Sequence, residues 1–495
     1  VKTDAVKKVV IAGGGTAGWI AAATLSKAFG HKLEICLIES DDIPTVGVGE
    51  ATIPPLLSLH KILELDEREF LASVKGTFKL GIQFENWREQ GDQYIHSFGW
   101  AGKDSYACGF VNFWLAGLRQ GINIPYGDYC VEHLAARLNK FAILPSANLN
   151  YAYHFDAGCY AKLLRTHSEK RGVQRIEGKI AQVNTHVHNG FIKELVLESG
   201  NVVNGDLFID CTGFRALLIE QTLHTGFIDW SHWLPCDRAV AVQTEAVGEP
   251  IPYTRAIAHE AGWRWRIPLQ HRVGNGLVYC SRYLTDEQAT EKLLNSIEGE
   301  PLNTPRVIQF RTGTRTKHWN KNCVALGLAS GFLEPLESTS IHMIQRSVLR
   351  LLQLFPSEEI LQDSVDEFNA QTSLEVERIR DFIILHYCVT ERNDSAFWQH
   401  CRTMELPESL RRRIELFKKT GRVFKGDSEL FGEESWIQVM LGQGIVPAAH
   451  HPFADAMPSG ELASFLAKIR ESTRNRVGQL PLHADFIAHY CAVQK

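Results

Sequence analysis

A run of three glycines sits where a short apolar stretch gives way to an alanine-rich one: Gly13-Gly14-Gly15-Thr16-Ala17-Gly18. Before it, Val9 to Ala12 suit a strand buried on both faces. After it comes a helical stretch from Trp19 to about Phe29, then a second strand, Leu33 to Ile38. Strand, glycine turn, helix, strand is a βαβ opening. In the pattern Gly13-x-Gly15-x-x-Gly18 each glycine has its own task. Gly13 permits the tight turn, Gly15 lets the backbone approach a pyrophosphate, and Gly18 lets the helix pack close to the sheet. The helix N-terminus, at Thr16 and Ala17, offers its N–H groups to the phosphates. Glu39 ends the second strand about 20 residues past Gly18, where an acid meets a ribose hydroxyl. Alone the glycine string is weak. Between a strand and a helix, with Glu39 following, it predicts a dinucleotide site.

Two later segments repeat the idea. Asp206-Leu207-Phe208-Ile209-Asp210-Cys211-Thr212-Gly213 and Asn322-Cys323-Val324-Ala325-Leu326-Gly327 are apolar strands ending in small-residue turns. Three strand ends that admit close backbone approach fit a large dinucleotide such as FAD, with Gly213 and Gly327 beside it. No second Gly-x-Gly-x-x-Gly is present, so the sequence predicts no NAD(P)H site and a reduced flavin that arrives from elsewhere.

The 495 residues allow roughly two to four units at about 150 residues each. A net charge of −5 without a long basic run argues against nucleic acid as a partner. The 11 cysteines are scattered, with no Cys-x-x-Cys pair and no metal-ligand spacing, so they read as reduced thiols and no metal is expected. No segment approaches the roughly 18 continuous apolar residues of a membrane span, and no apolar leader precedes the first strand. We expect a cytoplasmic protein.

The expected fold is α/β, a Rossmann-type FAD-binding fold like that of flavin monooxygenases, with a β-rich substrate portion and a helical C-terminal part. A charged helical stretch spans about Leu56 to Val74, and residues 90–150 show no clean period. Residues 175–209 read as a β-meander that includes Val183, residues 236–320 hold further strands, and the chain is mostly helical after Ile341. The elements interleave. Residues 1–345 are expected to form the cofactor module with its inserted β-rich portion, and 346–495 a helical part completing the substrate site.

Beyond the glycine turn, four more segments stand in order along the chain. They are Val46-Gly47-Val48-Gly49-Glu50-Ala51-Thr52-Ile53-Pro54, Phe78-Lys79-Leu80-Gly81, Trp263-Arg264-Trp265-Arg266-Ile267-Pro268, and Glu334-Pro335-Leu336-Glu337-Ser338-Thr339-Ser340-Ile341. With Gly13 to Gly18 they resemble the flavin-dependent tryptophan halogenases and their relatives. The Trp-x-Trp-x-Ile-Pro string of Trp263, Trp265, Ile267 and Pro268 is far more restrictive than the glycine motif.

The resemblance implies an enzyme that uses reduced FAD, oxygen and chloride or bromide to form hypohalous acid and halogenate an electron-rich aromatic. It places Gly49, Glu50, Ala51, Val183 and Leu336 with the glycines in the FAD site. Lys79 would hold the oxidant by hydrogen bonding or carry the halogen as a haloamine. Glu337 would polarise the oxidant or take the ring proton, and Glu334 competes for that role. A positioned donor gives regiochemistry to an unselective oxidant, and a carboxylate beside an arenium cation stabilises it and accepts its proton. A lone lysine is usually a solvated surface charge; the setting of Lys79 argues otherwise. Halide is assigned to backbone N–H groups at Thr339 and Ser340, where the tryptophan-specific enzymes carry Gly in place of Ser340. Trp263 and Trp265 share one strand face and would separate substrate from flavin.

His96, Phe98 and Trp100 alternate in a loop-rich stretch and are candidates to line a pocket for a flat aromatic, as is Trp436. The tyrosine pair with which tryptophan halogenases grip the amino acid is absent; 433–444 reads Glu-Glu-Ser-Trp-Ile-Gln-Val-Met-Leu-Gly-Gln-Gly. Indole, or a larger indole- or phenol-bearing molecule, is at least as good a candidate as free tryptophan. The family implies a separate NAD(P)H-dependent flavin reductase and is compatible with a homodimer. An FAD-dependent aromatic hydroxylase and a non-catalytic flavin-binding protein stand as alternatives.

Overall fold

The computed structural model describes residues 5–43, 50–145, 148–427 and 429–493. The chain divides into two units of three segments each: residues 1–76, 155–231 and 310–377, and residues 77–154, 232–309 and 378–495. The boundary expected at 345 falls inside a helix of the first unit, Ser340–Gln353.

The first unit is built on a six-stranded sheet in the order Trp319–Asn320, Cys323–Ala325, Leu207–Asp210, Lys8–Ala12, Glu34–Glu39, Gln174–Glu177. All neighbours are parallel except the outermost pair, Trp319–Asn320 with Cys323–Ala325. The central strand, Val9 to Ala12, is wholly buried, as a strand covered on both faces must be. The helix Thr16–Phe29 packs on the helices Ala157–Glu169 and Ser340–Gln353. Of the expected meander, only Ile180–Thr185, Ile192–Leu197 and Val202–Asn204 form an antiparallel sheet of their own. Gln174–Glu177 and Leu207–Asp210 join the parallel sheet instead.

The charged stretch after Pro54 is two helices, Pro55–Leu63 and Glu67–Ser73. Glu64 ends the first in a left-handed conformation, and the Asp66 carboxylate caps the second by accepting from the N–H groups of Arg68 and Glu69.

The second unit carries a seven-stranded sheet in the order Arg306–Gln309, Arg238–Glu245, Arg272–Tyr279, Gly262–Pro268, Thr254–His259, Gly81–Glu85, Gln93–Ser97. Its pairs are antiparallel except Thr254–His259 with Gly81–Glu85. The helix Glu433–Gly442 packs on the edge strand Gln93–Ser97. Residues 90–150 contain the helix Phe110–Arg119, in which Phe110 to Gly117 are all buried. Among the described residues, no helix is long and apolar enough to cross a membrane.

Candidate active site

Register brings three strand ends of the first unit to one edge. Ala12 pairs with Asp210, and Asp210 with Ala325, so the turns that follow leave side by side. At the first of them, Gly13 holds a φ of 109°, and a Cβ there would lie 2.3 Å from the Cys211 carbonyl oxygen. A Cβ on Gly18 would lie 1.9 Å from the Gly13 carbonyl oxygen, so the helix rests directly on the turn. Gly15 differs. It is the N-cap of Thr16–Phe29 without a side-chain capping bond, and among the described residues no atom beyond its chain neighbours lies within 4 Å of where its Cβ would be. An uncapped helix N-terminus facing open space is a place for a phosphate.

Glu39 stands beside this turn, its carboxylate accepting from Trp19 Nε1 at 3.3 Å and from Arg175 Nε at 2.6 Å. Asp210, wholly buried, is consumed within the protein: it accepts from the N–H groups of Thr212, Leu218 and Ile219 and from the Thr212 hydroxyl. Gly213, with no described residue beyond its chain neighbours within 4 Å of its Cβ position, and Gly327, whose Cβ would approach that of Ala17 to 3.0 Å, complete the edge. Val183 lies partly buried against the apolar cluster under this sheet. Glu50 and Ala51 form a short strand, and desolvation pushes the Glu50 carboxyl up to about 7. Gly49 and the preceding Val46, Gly47 and Val48 lie outside the described residues.

The residues present fit an FAD: the uncapped turn at Gly15 would receive phosphates, and Glu39 would receive a ribose hydroxyl. The test is Gly15→Asp. Its φ of −73° suits aspartate, which is a good N-cap, so folding is retained. A carboxylate there repels phosphate, so FAD affinity measured by fluorescence quenching is expected to fall by more than about tenfold.

The same unit holds the acidic segment. Leu336 and Glu337 lie in a short 3₁₀ turn, Pro335–Glu337, and both Glu334 and Glu337 are fully buried. Ser338 is left-handed at φ 58°, and the helix begins two residues after this kink, at Ser340. Thr339, the N-cap, makes no side-chain capping bond, and its buried Oγ1 lacks a hydrogen-bond partner among the described residues. The first turn carries no acidic residue. That leaves an uncapped N-terminus able to receive a small anion.

In the second unit Lys79 is fully buried at the end of the strand Thr77–Lys79, opposite Ala152. Its Nζ lies 5.4 Å from the centroid of the half-buried Phe98 ring. Three devices fix this strand. Phe78 stacks on Phe141 at 4.2 Å, and its N–H donates to His483 Nε2 at 3.2 Å while His483 Nδ1 donates to the Pro250 carbonyl at 2.7 Å. The Thr77 hydroxyl donates to the Pro268 carbonyl at 2.8 Å and so accepts from His154 Nδ1 at 3.0 Å. His154 Nε2 then accepts from the Thr254 hydroxyl at 2.9 Å. Burial, and next the charge of Lys79, hold His154 well below its ordinary pKa. Neither histidine was visible as important in the sequence, where each is an isolated residue far from Lys79.

Trp263 and Trp265 share a strand face with ring centroids 6.2 Å apart. Trp263 packs towards Trp87, while the Trp265 ring covers Gly276, where a Cβ would lie 2.1 Å from it. Ile267 and Pro268 continue the strand, and Pro268 supplies the carbonyl that holds Thr77. His96 and Trp436 are both buried and share one neighbour, Phe382, at 5.5 and 4.8 Å. Trp100 is 65% exposed, so His96, Phe98 and Trp100 do not form one enclosed wall.

Buried neutral histidines make the fold acid-sensitive. Burial lowers His133, His318 and His483 to about 4 and His60 to about 3, while Glu50 and Glu434 are raised to about 7. Below pH 6.5 the unfolded imidazoles bind protons that the folded ones refuse, so stability falls as pH drops towards 4 and levels off below the folded values. The raised carboxyls oppose this between pH 7 and 4.5 but are fewer. His483 alone contributes about 3 kcal/mol of the loss. Urea midpoints measured from pH 7 to 4 are expected to fall steadily.

Four similarities to known proteins bear on this geometry. A family model described as tryptophan halogenase matches residues 8–459. A solved flavin-dependent halogenase from Xanthomonas campestris is 56% identical with a TM-score of 0.98, covering 99% of each chain. Another from Brevundimonas sp. BAL3 is 43% identical with a TM-score of 0.95, covering 98% of this chain and 99% of that one. The tryptophan 6-halogenase of Streptomyces toxytricini is 34% identical, over 97% of this chain and 98% of that protein.

Proposed function

Because the chain belongs to the tryptophan halogenase family and is a flavin-dependent halogenase, we propose that it halogenates an indole-type aromatic carbon, with Lys79 and Glu337 as its catalytic pair. The observation that carries this reading is a fully buried lysine whose ammonium faces an aromatic ring. Reduced FAD, supplied by a separate NAD(P)H-dependent reductase, furnishes with oxygen the oxidising power that converts chloride or bromide to hypohalous acid.

The protein's own residues do the rest. The turn at Gly15 and the edge at Gly213 and Gly327 bind the cofactor, with Glu39, Ala51 and Leu336 beside it. The uncapped helix start at Thr339 and Ser340 receives halide. Lys79, fixed by its strand, donates a hydrogen bond from its ammonium to the oxygen of hypohalous acid and so positions the electrophilic halogen. The ring carbon attacks the halogen, the carbon–halogen bond forms as the halogen–oxygen bond breaks, the departing hydroxide takes a proton from the Lys79 ammonium and leaves as water, and the ring proton passes to Glu337.

Indole is preferred over free tryptophan for a reason on the helix Glu433–Gly442. Its polar side chains Glu434 and Gln438 bond to residues 97, 99, 101 and 126 of the protein itself, so they are already committed rather than available for an amino acid's charged end. With reductase, NADH, FAD, oxygen and bromide, kcat/KM for indole is expected to exceed that for tryptophan by at least about tenfold. The reverse order would contradict this assignment.

A further inference from the structure

We propose that Gln438 is a positioning residue that sets which ring carbon is halogenated, by holding the Phe98 ring in front of the Lys79 ammonium; the inference rests on the halogenase reading above and deepens it. Gln438 is 8% exposed, and its amide is fully used. The carbonyl oxygen accepts from the Ser97 N–H at 2.8 Å and is within 3.1 Å of the Ser97 hydroxyl. The amide nitrogen donates to the Gly99 carbonyl at 3.0 Å and to Glu434 Oε1 at 3.1 Å. Two donors and two acceptor positions are all that a primary amide has.

The two backbone groups it grips flank Phe98. The Phe98 N–H, in turn, donates to the carbonyl of Leu80, the residue after Lys79, at 2.9 Å. The ring that faces Lys79 Nζ is therefore tied on both sides to the helix and once to the residue that follows the lysine. Glu434, one turn before Gln438, orients the amide. Its carboxylate accepts from the Tyr126 hydroxyl at 3.0 Å and the Ala101 N–H at 3.2 Å, leaving the amide nitrogen as the partner for its Oε1. From the other side Gly99 leaves no slack, since a Cβ there would lie 1.8 Å from Glu132 Oε2.

The chemistry follows from geometry. Hypohalous acid attacks any electron-rich carbon within reach, so the product isomer reports which carbon sits nearest the ammonium. A wall that shifts by about 1 Å changes that choice and the rate together. Glutamine is specifically required. A glutamate of the same shape would point a carboxylate at the Gly99 carbonyl and the Glu434 carboxylate, reversing two of the four bonds.

The test compares wild type with Gln438→Glu and the milder Ser97→Ala, which removes one hydroxyl only. The substrate is 3-methylindole, whose remaining ring carbons compete, and the readouts are the ratio of monobrominated isomers and the melting temperature. In a folded Gln438→Glu variant the fraction of the main isomer is expected to fall at least about twofold while total product falls less than about tenfold. Ser97→Ala is expected to move the ratio in the same direction by less, and decides the matter if the glutamate variant does not fold. Lower yield with an unchanged ratio would assign Gln438 a merely structural role and overturn the inference alone. A wild type that brominates nothing would overturn the halogenase reading and the inference with it.

Discussion

Lys79→Met is expected to reduce halogenated product by about a thousandfold or more, while FAD binding and the consumption of NADH and oxygen continue. Methionine keeps the volume of a side chain that is fully buried, so the loss cannot be charged to a cavity. What disappears is a positioned donor, and a single such donor is typically worth a factor of about 10² to 10³. The effective concentration that a fixed oxidant provides disappears with it. Hypohalous acid formed without Lys79 escapes, and a diffusible trap in solution is expected to capture it in proportion to the reduced flavin spent. Product formation by the variant within about tenfold of wild type would remove Lys79 from the chemistry.

Glu337→Gln is the second large effect. The substitution preserves shape in a buried 3₁₀ turn, exchanges one acceptor oxygen for an amide donor, and removes the negative charge and the basicity. A general base contributes typically about 10² to 10⁴ in rate, so kcat is expected to fall by that order with KM changed little. Hypohalous acid formation should survive, since it precedes the step at the ring. The parallel substitution Glu334→Gln separates the two acids. If Glu334 is the base, it shows the larger kcat loss.

The parts of this fold set by short-range chemistry were legible in the sequence. The glycine turn announces itself because Gly13, Gly15 and Gly18 each answer a different steric demand, and two of those demands are met by backbone oxygens within 2.3 Å of a Cβ position. Buried strands such as Val9 to Ala12 are apolar runs and read easily. The division into units was not legible, because each unit is assembled from three segments separated by more than sixty residues. Contacts of that range leave no local pattern.

At the site the same distinction holds. Lys79 and Glu337 stand in strings restrictive enough to be noticed. The groups that fix Lys79 are His154 and His483, and the second lies more than 400 residues away in the chain. Asp210 carries the opposite lesson: a carboxylate at the end of a cofactor-binding strand looks like a ligand contact, yet its oxygens cap the turn that follows. Only the hydrogen-bond geometry separates the two cases.

The most direct measurement mixes the protein with FAD, an independent flavin reductase, NADH, oxygen, bromide and indole, and weighs the product by mass spectrometry. The account predicts a product carrying the paired isotope peaks of one bromine, absent when bromide is omitted. A product that gains one oxygen and no bromine would contradict it and make the protein an aromatic hydroxylase.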